Sequence, residues 1–156
     1  ALAWMVEAGS LLLLDVLVLS EFVNRYARLE YRLQIRRSGI RDFRRYRRSS
    51  SFLPVAVAIS DAVRRIRELS RPIDNGFSRI DLAALLTNYE TTKPDFNDQV
   101  LLDLCRTNGY KLVTHDGDFK GRGIVVLTAN REYWRDPEID PSVRFPDQAQ
   151  QGTLAR

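Results

Sequence analysis

Asp116 and Asp118 stand one residue apart in YKLVTHDGDFKGRG, residues 110 to 123, where a β-forming run ends on a Thr, a His and two acids before a glycine-punctuated basic loop. Two earlier acids, Glu21 in SEFVNRYARLEY and Asp98 in PDFNDQVLLDLC, sit in helical patterns. Carboxylates gathered in one place raise one another's pKa unless a cation lies among them. Hard oxygen donors select Mg²⁺ or Mn²⁺. Water acidified by such an ion is a nucleophile for phosphodiester cleavage, so these acids together would do metal-dependent hydrolysis. Such a site requires the fold to bring distant segments to one edge.

The elements that must do so follow from periodicity. Residues 1 to 8 read as a helix end stopped by Gly9, and SLLLLD as a short buried strand. A long amphipathic helix follows, with Val18, Phe22, Tyr26, Leu29 and Leu33 as its apolar face and Asp15, in preference to Ser20, as its cap. FLPVAVAISDAVRRIREL predicts a helix beyond Pro54, and SRIDLAALLTNYE another. In PDFNDQVLLDLCRTNG, Asp95 or Asn97 caps a helix with Val100, Leu101, Leu104 and Cys105 on one face and Gly109 at its stop. YKLVTH and IVVLTAN read as short parallel strands. From Arg135 onward, proline spacing and polarity predict a loose tail. The expected architecture is one α/β domain over residues 1–134, three-layer α/β/α around a mainly parallel sheet.

In such sheets ligands sit outside the carboxyl ends of the strands. A helix of about eleven residues descends about 16 Å, and a strand of about six climbs about 20 Å back. Asp98 and Asp116 therefore return to the same edge. Glu21, in the first two turns after the first strand, belongs near that edge too. Each residue also has a plainer role: Asp98 as a helix-dipole partner, Asp116 and Asp118 as turn formers, Glu21 as an exposed helix glutamate. His115 at a strand end suits an outward-facing or structural role better than that of a general base. Tyr133 and Trp134 suit packing better than base stacking. Cys105 belongs to the core.

The motifs VLVLSEFVNRYARLEY, DFNDQVLLDLC, LVTHDGDF and IVVLTAN, in that order, resemble those of PIN-domain nucleases, a group that includes the toxin ribonucleases of bacterial toxin-antitoxin pairs. The likeness runs from about Gly9 to Trp134. It implies a PIN-like fold, Mg²⁺ or Mn²⁺ as cofactor and RNA as substrate. Glu21, Asp98 and Asp116 match the family's catalytic and metal-holding acids. Asp118 matches a less dependable acid at a second metal or behind the first, and Thr114 a supporting hydroxyl residue. An antitoxin partner and a homodimer are further implications. The family also begins with a strand ending in an aspartate of the DTN type. No such segment precedes Ala1, and the expectation is that the chain has lost residues upstream.

RRSGIRDFRRYRRSSS carries Arg37, Arg41, Arg44 and Arg48 at helical spacing, with Arg45 beside them and Ile40 and Phe43 opposite. As one helix this would be a basic stripe contacting successive RNA phosphates, or an acidic partner, or only water. The whole 156-residue chain, at +4 net charge and 44% hydrophobic, fits one soluble domain with a modest lean to polyanions. A single cysteine excludes an internal disulfide and a Cys-based zinc site, and suits a reducing, cytoplasmic setting. The longest apolar run falls short of the ~20 residues of a membrane helix. DGD is too short to specify a glycosyltransferase, and IVVLTAN lacks the lysine a phosphorylated receiver would need. The alternative to a nuclease is a non-catalytic PIN module that binds RNA or a partner protein.

Overall fold

A computed structural model describes residues 2–91, 95–131 and 133, with backbone alone for 2–4, 36–38 and 91. The expected tail and Trp134 lie outside the described residues. The chain is mixed α/β, mostly helical, with short parallel strand pairs. It divides into two compact units, Ala1–Asn75 and Gly76–Arg156. Among the described residues, no helix is long and apolar enough to cross a membrane.

In the first unit, α1 (Leu2–Glu7) ends where Gly9 takes φ 75°, a conformation that other residues rarely adopt. The Gly9 and Ser10 amides donate to the Val6 and Met5 carbonyls and close the helix. β1 (Leu13–Leu14) leads into α2 (Val16–Ser38), capped as expected by Asp15, whose Oδ1 accepts from the Leu17 amide at 2.7 Å. Asp42 Oδ1 accepts from the Arg45 amide at 2.6 Å and caps α3 (Phe43–Arg47). α4 (Leu53–Leu69) carries Pro54 in its first turn, where a missing N–H costs nothing.

β2 (Arg71–Pro72) pairs in parallel with β1, Leu13 beside Arg71 and Leu14 beside Pro72. Its proline hid it from sequence reading. The ladder bonds run from the Arg71 amide to Leu12 O at 2.8 Å and from the Ile73 amide to Leu14 O at 3.1 Å. Only alternate residues of a strand donate toward one neighbour, so Pro72 sits where no donor toward β1 is required.

Of the apolar face expected on α2, Tyr26 packs into the core while Val18, Leu29 and Leu33 do not. Ala27, Val55 and Ile59 form the buried centre, with Val23, Tyr26, Phe43, Phe52 and Val63 against it. Val18, Leu29 and Leu33 are exposed, Leu33 by 63%. A small residue at 27 admits α4 closely, and backbone approach outweighs the larger side chains at 29 and 33.

The second unit contains α5 (Leu82–Thr91), α6 (Phe96–Asn108), β3 (Leu112–Val113) and β4 (Val126–Leu127). Asp95 caps α6 by accepting from the Asp98 amide at 3.0 Å, and Gly109 at φ 66° ends it. Val100, Leu101, Leu104 and Cys105 are buried, as the periodicity predicts, and Leu102 and Gln99 join them. Burial pushes the Cys105 thiol pKa up, which suits an inert core residue. β3 and β4 pair in parallel, Leu112 beside Val126 and Val113 beside Leu127. Leu101 and Leu102 of α6 pack with Phe119, Leu112, Ile124 and Val126, so the helix lies against this pair and the loop between its strands. Among the described residues the strands form two separate pairs.

Candidate functional site

Asp116 lies beyond β3, and its position is held from four directions. Its amide donates to Thr114 Oγ1 at 3.0 Å, and its own Oδ1 accepts from the Asp118 amide at 3.0 Å. The second bond caps the short 3₁₀ turn Gly117–Phe119, whose buried Phe119 ties it to the core. The Tyr133 hydroxyl donates to the Asp116 carbonyl at 2.6 Å, and Asn130 Nδ2 donates to the His115 carbonyl at 2.8 Å. Behind the turn, the Arg106 and Arg122 side chains donate to the Arg122 and Asp118 carbonyls. A sequence reading finds the acids here, yet misses Asn130, Tyr133 and the two arginines. The one available signal was NREY, a polar-aromatic run just after β4.

The Tyr133 phenol, only 6% exposed, has its pKa raised by burial first and then by the charges of Asp116 and Asp118. One hydroxyl thus senses both carboxylates. Asp116 and Asp118 are exposed, as is His115, while Thr114 is half-buried. Asp98 is half-buried in the first turn of α6, within the same unit. Glu21 is exposed on α2 in the other unit and pairs with Arg25 four residues on, at 3.1 Å.

A hard divalent ion suits the donor chemistry of the 116–118 turn, since Mg²⁺ is commonly held by one or two carboxylates and completes its shell with water and phosphate oxygens. Among the described residues, no three His, Cys, Asp or Glu side chains are grouped to hold a metal. What the turn offers is a braced pair, Asp116 and Asp118.

Asp15 is a second acid whose position the sequence understates. It is 4% exposed at the end of β1, and its Oδ2 is buried without a partner among the described residues. Sequence reading assigned Asp15 only its capping role, which occupies Oδ1 alone.

The arginine segment is not one helical stripe. α2 stops at Gly39, which takes φ 65°, and Ile40 and Arg41 are outside any helix before α3 begins. The spacing of Arg37, Arg41, Arg44 and Arg48 therefore does not translate into one face. The side chain of Arg37 lies outside the described residues, and Arg41 is exposed. Arg44, Arg45 and Arg48 instead line one open cleft of about 530 Å³ with Asp42 and Ser49. Phe43 anchors the segment, ring to ring with Tyr31 at 5.4 Å.

No protein-family model matches the chain, and no curated protein or solved structure does so either.

Proposed function

We propose that the chain is a metal-dependent endoribonuclease of the PIN type, with its helices in three layers around a mainly parallel sheet. The observation that carries this reading is the braced turn after β3, where Thr114, Tyr133 and Asn130 fix the backbone beneath Asp116 and Asp118. Strand-end turns of parallel pairs are where α/β proteins place their ligands. Asp116 and Asp118 would hold Mg²⁺ or Mn²⁺, and Asp98 would approach from α6. A divalent ion held there supplies Lewis acidity at an RNA phosphodiester. The chain's own part is to keep the carboxylates in place, through Thr114 beneath Asp116 and the Asp116 side chain beneath Asp118. An antitoxin partner, homodimerisation and a cytoplasmic setting belong to the same proposal.

The test is RNA cleavage by the full chain in Mn²⁺, with Asp98→Asn beside the wild type. Cleavage that needs metal and falls sharply in the variant is expected. Equal activity in both proteins removes the assigned site. The second reading is a non-catalytic PIN module that binds RNA or a partner. Its signature is RNA binding by the wild type with no cleavage in either metal.

A further inference from the structure

The geometry points to a phosphate-binding cleft whose donors are Arg44, Arg45 and Arg48, and whose ligand is the terminal phosphomonoester of an RNA chain. This rests on the reading that RNA is the substrate, and it assigns to the first unit a role separate from the acid turn.

All three arginines are exposed, and among the described residues none of their guanidinium groups has a hydrogen-bond or ion-pair partner. Three unpaired cations around one concavity are a repulsive arrangement that an anion relieves. The segment carrying them is firmly seated. Tyr46, 0% exposed, packs tilted against the Tyr31 ring at 5.3 Å and edge-on against Phe52 at 5.5 Å, and Phe43 meets the same Tyr31 ring. Asp42 caps α3 at its start, and Ser49 Oγ donates to the Tyr46 carbonyl at 2.8 Å at its end. Arg47 does not line the cleft; its guanidinium lies over the Phe52 ring, 5.5 Å from the centroid.

Charge and donor count select the ligand. Three arginines and Asp42 leave the cleft at +2, matching a phosphomonoester, which carries about −1.5 to −2 at neutral pH and three terminal oxygens. An internal phosphodiester brings one charge and two free oxygens, so three forked donors exceed what it can use. A carboxylate of an acidic peptide likewise meets one guanidinium fork in its best geometry. A cleft of about 530 Å³ falls within the ~300–1,000 Å³ range of ligand pockets, so it admits the terminal nucleotide with its phosphate.

The experiment measures binding of short single-stranded RNAs to the full chain in EDTA, so that cleavage plays no part. The same oligonucleotide is compared with a 5′-phosphate, a 3′-phosphate and hydroxyl ends, with inorganic phosphate as competitor. One phosphorylated form is expected to bind on the order of 10–100-fold more tightly than the hydroxyl form. R44Q/R45Q/R48Q should erase that difference, and R44K/R45K/R48K should keep part of it, since the charge remains while the forks go. R32Q/R65Q/R71Q, an equal loss of three charges at exposed positions that do not line the cleft, should leave it intact. Four results overturn the assignment. They are equal binding of all three RNAs, an undiminished preference in the triple glutamine variant, no RNA binding by the wild type, and arginine-dependent capture of polyglutamate in place of RNA. End-dependent binding without any cleavage would leave the cleft standing while the nuclease reading falls. Cleavage without end preference would do the reverse.

Discussion

The two units treat their buried polar groups differently. In the first, the Tyr46 hydroxyl and Asp15 Oδ2 are buried and have no partner among the described residues. In the second, the Tyr133 hydroxyl has found the Asp116 carbonyl, and the surrounding turn is tied by side chains from Thr114, Asn130, Arg106 and Arg122. Both units use a buried tyrosine as packing, yet only the second also uses one to hold a backbone in place. Unmade hydrogen bonds cost more than made ones contribute, so the second unit's polar groups are arranged for position and the first unit's aromatics for bulk.

The sharpest break in that comparison separates position from charge at the turn. Asp116→Asn keeps the Oδ1 that accepts from the Asp118 amide, so the turn should survive with stability within about 0.5 kcal/mol. Metal-dependent cleavage should nevertheless fall by at least about 100-fold, the upper end of what losing a mere outer partner of a metal site does. Thermal unfolding and Mn²⁺-dependent RNA cleavage, measured on the same preparation, read the two quantities. A variant as active as the wild type would make Asp116 a turn former and nothing more.

Next in size is Tyr133→Phe. The ring stays, but a part-buried hydrogen bond is lost, at a cost of about 1 kcal/mol. Urea unfolding should show a lower midpoint at unchanged slope. An unshifted midpoint would mean that the acid turn is held by Thr114 and Phe119 without the hydroxyl.

Why some of this was legible in the sequence, and some not, follows from the range of each interaction. Caps and stops are local: Asp15 and Gly109 act within a few residues and were readable at their positions, and Asp95 was readable as one of two candidates with Asn97. The core face of α6 was readable because every large apolar side chain on it is also buried. On α2 that coincidence fails, since Ala27 is the contact and Leu29 and Leu33 face water. β2 was hidden by Pro72, whose tolerance depends on which edge its partner occupies. At the candidate site the acids were visible from their spacing. Tyr133 was not assigned to them, because its bond to residue 116 spans seventeen positions and no local pattern announces it.

A smaller effect, of opposite sign, is expected in the first unit. Asp15→Ser retains an oxygen to accept from the Leu17 amide and removes the buried oxygen that has no donor. Loss of an unsatisfied buried acceptor outweighs the small volume lost, so stability should rise by about 0.5–1 kcal/mol. A fall of that size would show that Oδ2 does have a partner in solution. Asp15 would then belong with the second unit's positioned acids.

The smallest effect at neutral pH is expected at Tyr46, and its pH dependence tells the two tyrosines apart. Tyr46→Phe removes a hydroxyl that has no partner among the described residues, so stability at pH 7 should change by less than about 0.5 kcal/mol. Burial first, and the charge of Glu30 second, raise the Tyr46 pKa above its ordinary value near 10. The folded state therefore holds this proton more tightly than the unfolded chain does. Its contribution is fully present below about pH 10 and is lost as pH rises toward the folded value. Replacing the phenol removes that loss, so Tyr46→Phe should outlast the wild type in unfolding scans above pH 10 while matching it at pH 7. Tyr133→Phe also deletes a raised phenol, but it starts from the deficit left at the Asp116 carbonyl. Equal alkaline stability of Tyr46→Phe and the wild type would mean that the Tyr46 phenol titrates as freely folded as unfolded.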